Sequence, residues 1–150
     1  MTGRLEQIYF APSHGAPLEP VEAAKLVNGR GLEGDRYYNT STGVVSLIEA
    51  EAIQAFNERT GLSIDAGMTR RCLVTRGIEL NPLVGSRFRI GEVELEGFEL
   101  CEPCASLGNS LATDSVSASA VVKAFLTSAG LRAYVRGTGV VRPGEPLAIL

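Results

Sequence analysis

Arg87-Phe88-Arg89-Ile90-Gly91-Glu92-Val93-Glu94-Leu95-Glu96-Gly97-Phe98-Glu99-Leu100 alternates apolar and charged residues, with glycine at 91 and 97. A period of two places every second side chain on one face, so each segment reads as a strand with a buried face and a wet one. The glycines divide the run into a three-strand meander. Outward from it, Arg4 to Phe10, Val44 to Ile48, Cys72 to Thr75, Leu131 to Val135 and Pro146 to Leu150 have the same strand character, and Val21 to Val27 is a short apolar stretch. Glu49 to Arg59 has helical spacing, with Ala52, Ile53 and Phe56 on one face and Gly61 as its stop. A second helix is expected from Val116 to Ala129, capped by Asp114 or Ser115 and stopped by Gly130. Many short strands with two inserted helices predict a mainly β fold, a closed or nearly closed β-barrel. No repeat or linker interrupts the chain, so residues 1–150 read as one domain.

The net charge of -3 gives no global attraction to nucleic acid or to an anionic membrane. No apolar run is long enough to span a bilayer, and the first residues carry no signal-peptide pattern. The expectation is a cytosolic protein whose three cysteines stay reduced. Twelve arginines stand against two lysines, Lys25 and Lys123. A GC-rich genome accounts for most of that bias. Where arginines cluster, their planar forks suit phosphate or carboxylate.

The chemistry-bearing feature is Cys101-Glu102-Pro103-Cys104, at the end of the meander. A C-x-x-C can be half a zinc site, a dithiol redox pair, or one working cysteine with a neighbour. Zinc needs four ligands, and the chain offers only Cys72, Cys101, Cys104 and His14, all of which would have to converge. A thioredoxin-like pair belongs in a βαβ context, which a meander does not provide. Cys72, inside an apolar strand, reads as core. His14 is the single imidazole and lies in a proline-flanked loop, which disfavours a nucleophilic triad. Gly31-Leu32-Glu33-Gly34-Asp35-Arg36 could cradle an anion through its backbone but fits neither the phosphate-loop nor the dinucleotide fingerprint. Arg70 and Arg71, just before a strand, could clamp a phosphate or face solvent.

Five motifs in order resemble the MOSC domain, the module found at the C-terminus of molybdenum cofactor sulfurases and as small free-standing bacterial proteins. They are Gly31-Leu32-Glu33-Gly34-Asp35-Arg36-Tyr37, Val45-Ser46-Leu47-Ile48-Glu49-Ala50-Glu51-Ala52, Thr69-Arg70-Arg71-Cys72-Leu73-Val74-Thr75-Arg76-Gly77, Leu83-Val84-Gly85-Ser86-Arg87-Phe88-Arg89-Ile90-Gly91 and Leu100-Cys101-Glu102-Pro103-Cys104. The resemblance implies a barrel of the pyruvate-kinase barrel-like type, and an association with the molybdenum cofactor (molybdopterin) and with sulfur transfer. Its Pro-Cys motif falls on Cys104, implied to carry a persulfide or to ligate molybdenum, with Cys101 as a resolving thiol or a spare residue. Arg36, Arg70 and Arg71, with Gly34 and Asp35, would then hold the anionic parts of the cofactor. Cys72 stands where many family members have Asn. No stretch matches the extra N-terminal barrel of amidoxime-reducing relatives or the desulfurase domain of fused sulfurases. Pyridoxal phosphate is therefore expected only on a partner, a cysteine desulfurase or another sulfur donor. Two other readings stay open: a molybdenum-dependent reductase of N-hydroxylated compounds served by electron-transfer partners, and a non-catalytic C-x-x-C binding module.

Overall fold

A computed structural model describes residues 2–40 and 43–150. Its strands are β1 (Thr2–Phe10), β2 (Glu19–Val21), β3 (Ala24–Val27), β4 (Gly31–Leu32), β5 (Val44–Glu49), β6 (Leu73–Arg76), β7 (Arg87–Ile90), β8 (Val93–Leu100), β9 (Leu131–Val135), β10 (Gly139–Val141) and β11 (Pro146–Ile149). Seven of them hydrogen-bond in a ring, in the order β1, β11, β7, β8, β9, β5, β6 and back to β1. The barrel is closed. Its neighbours are antiparallel except β5 and β6, a parallel pair that the helix α1 (Ala50–Thr60) connects. A parallel pair needs such a crossover because a tight turn can only reverse the chain.

The alternating pattern sorts side chains as expected. Phe88, Ile90, Val93 and Leu95 point into the barrel with Leu5, Leu47, Leu73, Leu131 and Leu147. The charged residues between them pair across the outer face: Arg87 with Glu94, Arg136 with Glu96 at 2.8 Å, and Arg132 with Glu99 at 3.2 Å. Two irregularities tune this register. Between Leu5 and Gln7 the pairing of β1 with β6 slips by one residue, so Leu5 and Ile8 both reach the barrel interior although three apart. In β8 the slip lies between Gly97 and Glu99, and the extra residue, Phe98, stacks on Tyr134 with ring centres 4.1 Å apart. Gly97 therefore does not end a strand. Its bare Cα lets the Leu83 carbonyl approach to 2.2 Å of where a Cβ would stand. The two expected strands on either side are one bulged strand.

A second apolar cluster covers the outside of β5 and β6. Ile48, Val74 and Tyr9 face outward there and are buried by Ile53 and Phe56 of α1 and by Val121 and Phe125. The expected helix from 116 to 129 is corrected. The segment holds a short helix α3 (Ala118–Ala124), preceded by another, α2 (Ala105–Leu111). Thr113 Oγ1 accepts the Val116 N–H at 3.1 Å and forms a local turn, so the N-cap falls on Ser117, whose Oγ accepts from Ala120. Beyond Ala124 the chain leaves the helix as Phe125 packs, fully buried, against Phe56 at 4.6 Å. Gly108 brings α2 onto α3, since a Cβ there would lie 2.8 Å from the Ala118 carbonyl. A three-stranded sheet of β10, β3 and β4 was also not visible in the sequence; Ala24, Leu26, Leu32 and Val141 carry it into the barrel core. No helix among the described residues is long and apolar enough to cross a membrane.

Candidate functional site

The sequence-predicted residues come from three separate segments, 34–36, 70–71 and 101–104. They gather around one end of the barrel, where β8 finishes and β6 begins. Cys104 is the N-cap of α2 and is exposed. Its sulfur faces the backbone N–H groups at the start of that helix without forming a full cap hydrogen bond. The thiol is held below the usual cysteine range. The Leu107 N–H is the main cause, assisted by that of Ser106 and by the Arg71 charge, against an opposing cost of desolvation.

Cys101, three residues earlier, has the opposite surroundings. It is 7% exposed within the apolar cluster, and its N–H donates to the Gly130 carbonyl at 2.8 Å. Cys72 is 2% exposed, and burial pushes its thiol up to about 12, with the Asp35 charge adding to the effect and Arg36 and Ser46 opposing it. Among three chemically identical side chains, then, one is exposed and readily ionised. The three are free thiols.

The arginines also divide. Arg36 and Asp35 have side chains only 4% exposed and pair at 3.0 Å. Asp35 accepts the N–H groups of Ala11 at 3.1 Å and Tyr37 at 3.3 Å, while Arg36 donates to the Arg70 carbonyl at 3.1 Å and lies over the Tyr37 ring at 4.7 Å. His14 meets the same ring edge-on at 5.1 Å. Arg70 adopts a left-handed backbone, φ 63°, and donates to the carbonyls of Ala16 and His14 at 2.9 and 3.0 Å. A side chain bearing a Cβ pays about 1–2 kcal/mol for that conformation, here offset by the loop it ties down. Arg71 is anchored through Nε to Ala129 at 2.9 Å and through Nη1 to Thr69 at 3.0 Å. It has no carboxylate partner among the described residues. Gly34, with φ 89°, turns the backbone past the Phe10 ring ahead of Asp35.

A family model described as MOSC domain matches residues 27–148. The chain belongs to the MOSC domain family. The crystal structure of the YuaD protein from Bacillus subtilis superposes with a TM-score of 0.86 at 19% identity, covering 99% of this chain and 96% of that one. YiiM from Geobacillus stearothermophilus gives 0.76 at 15% identity, over 99% of this chain and 75% of its own. YiiM from Escherichia coli gives 0.67 at 20% identity, over 100% and 70%. At these identities the likeness is one of fold. No curated protein matches the chain.

In this MOSC barrel the strand ends and the helix α2 converge on a thiol whose ionisation Arg71, a cation with no carboxylate partner among the described residues, favours. Sequence reasoning could not separate Arg71 from Arg36 and Arg70, because what distinguishes them is which carbonyls their forks reach. It also missed the Leu107 and Ser106 backbone groups, whose only signal was the helix-compatible run after Cys104. Among the described residues no three His, Cys, Asp or Glu side chains stand together as a metal cluster.

Proposed function

We propose that this MOSC-domain protein carries sulfur as a persulfide on Cys104 for metal–sulfur cofactor maturation. The observation that carries the reading is the exposed Cys104 thiol, held below the ordinary cysteine range at a helix start beside Arg71. Thiolate is the nucleophilic form, and a cation favours it. In the proposed step the Cys104 thiolate attacks the terminal sulfur of a donor persulfide. A bond forms between that sulfur and Cys104 Sγ, the donor's S–S bond breaks, and the donor leaves as its thiolate. Arg71 faces an anionic sulfur before and after transfer. The donor is a partner such as a cysteine desulfurase, which would hold the pyridoxal phosphate.

MOSC domains are associated with the molybdenum cofactor. The donor set here is compatible with one: Cys104 is a soft thiolate ligand for molybdenum, and Arg71 is a cation left over for a phosphate. Arg36 and Arg70 already donate to protein carbonyls and would shape the site with Gly34 and Asp35. Bound there, the cofactor would supply metal-centred redox or sulfur chemistry, and this chain would supply the thiolate and its neighbouring charge.

Incubation with a cysteine desulfurase and cysteine should add sulfur to the peptide containing Cys104, read by mass spectrometry. Full loading in Cys104→Ala would overturn the proposal. Elemental analysis of protein from a molybdenum-sufficient host reads the cofactor question separately.

A further inference from the structure

A cavity of about 410 Å³ opens on the outer face of the barrel between β1, β6 and α1, and none of the residues gathered about Cys104 lines it. Its floor is apolar: Val74 of β6, Ile53 of α1 and Ile64, all members of the second core cluster. Its walls are polar, and the slip in β1 builds one of them. Successive side chains of a strand ordinarily face opposite sides. Glu6 is the extra residue of that bulge, so it and Gln7 line the same cavity, and Tyr9 follows by normal alternation.

Three carboxylates and one guanidinium line this space. Arg76 is already held by Glu6, at 2.5 and 3.2 Å. Glu58 accepts a long bond from Gln54, one turn earlier on α1, at 3.4 Å. Asp65 precedes a short 3₁₀ turn, Ala66–Thr69, but its side chain does not cap it. Neither Glu58 nor Asp65 has a cationic partner among the described residues. Asp65 is nonetheless set in place. Asn57 donates to the Ile64 carbonyl at 3.1 Å and accepts the Ile64 N–H at 2.9 Å, which fixes the chain just ahead of it. Tyr9 is 7% exposed, its ring lying where a Cβ on Gly67 would come within 2.7 Å. Its hydroxyl has Gln7 and the Gly67 N–H nearby but closes a full hydrogen bond with neither. It is not among the sealed, orphaned polar atoms, so it opens on the cavity. An acidic rim alone would be solvated surface. Here it overhangs a preformed apolar floor and a buried phenol whose oxygen is free to accept.

We propose that this cavity binds a small organic cation, a protonated amine on an apolar body. Asp65 and Glu58 hold the ammonium, the Tyr9 oxygen accepts one of its N–H groups, and the body lies on Val74, Ile53 and Ile64. An ammonium has donors and no acceptor, which suits two carboxylates and a phenol oxygen. An anion of the same shape would meet two uncompensated negative charges. The volume is that of an ordinary small-molecule site. Neither carboxylate depends on Cys104, so the site stands whether or not that thiol carries sulfur.

The test is a titration of the intact, nitrogen-labelled protein with phenethylamine at physiological salt, followed by backbone amide shifts. 2-Phenylethanol and phenylacetate, which share the body without the positive charge, are the comparisons. Phenethylamine should give saturable shifts confined to β1, β6, α1 and the chain around Asp65, and the two comparisons should bind at least about tenfold more weakly. Asp65→Asn and Glu58→Gln alter exposed side chains and should each raise the dissociation constant about fivefold; Tyr9→Phe should raise it about threefold. Glu99→Gln removes a carboxylate on the opposite side of the ring and should leave the constant unchanged. The amide spectrum of each variant shows whether it is folded, and Asp65→Asn carries the test if Tyr9→Phe is not. The absence of saturable shifts up to about 10 mM amine overturns the proposal. So does equal binding of 2-phenylethanol, or a loss in Glu99→Gln that matches Asp65→Asn. A lysine amide bound as tightly as phenethylamine also overturns it, because the groove would then be a contact for a protein side chain.

Discussion

Cys72 and Cys104 lie at opposite extremes of thiol ionisation within one small barrel, and the consequences differ. Burial holds Cys72 protonated, moving its pKa from 9.0 to about 12. A thiol whose folded pKa is raised stabilises the fold fully below its unfolded pKa, and that contribution is lost as pH climbs through the folded value. The urea midpoint should therefore fall between pH 9 and 12. Cys72→Ala should flatten that alkaline decline while costing stability at neutral pH, as followed by circular dichroism. Cys104 has the opposite sign, and its lowered value appears as reactivity. At neutral pH, alkylation followed by peptide mapping should label Cys104 first and leave Cys72 unmodified until the protein unfolds. Residue chemistry at this scale was only partly legible in the sequence. Cys72 read as core from its apolar neighbours and Cys104 stood out through its motif. Which arginine acts on Cys104 depends on contacts between residues as far apart as Arg71 and Ala129, which no local pattern encodes.

At the scale of elements, strand identity followed from alternation, and the helix α1 from its apolar face and Gly61 stop, which adopts φ 76° and donates to Asn57. The C-terminal helical region was misread because its propensity is continuous while its caps are not: a threonine turn interrupts it at Val116 and Phe125 leaves it for the core. Gly130 illustrates the same gap. It reads as a helix stop, yet it lies six residues beyond the end of α3 with φ 115°, and a Cβ there would meet the Leu47 carbonyl at 2.2 Å and Arg71 Nε at 3.6 Å. Gly130→Ala is accordingly expected to cost about 2–4 kcal/mol in denaturant unfolding, from a backbone clash and a disfavoured φ. It should also slow Cys104 alkylation, because Ala129 and Gly130 anchor Arg71 and Cys101.

The whole molecule was legible as a barrel because period-two strands with one apolar face need a common interior. Closure itself, and the order of strands around the ring, were not, since pairing partners such as β1 and β11 lie at opposite ends of the sequence. The interior should dominate stability. Phe88 is fully buried, so Phe88→Ala should cost about 3–5 kcal/mol in a urea titration. Arg132→Gln, which breaks a pair half exposed on the outer face, should cost under about 1 kcal/mol and less in high salt.

The first strand has an unusual share in that closure. One edge of β1 serves β11 at its start and β2 at its end, while β6 occupies the other. During synthesis β1 is made before the other strands of the ring, yet the Thr2–Arg4 segment finds its partner only when Pro146–Ala148 has been made. Until then β1 and β6 can pair, but the ring remains an open sheet with an edge at each end. Such long-range pairing delays folding, because the entropy of closing the chain is lost before the contacts that repay it exist. A nascent barrel of this kind is exposed to edge-to-edge association from the making of β1 until β11 docks, and becomes safe from it in that single event.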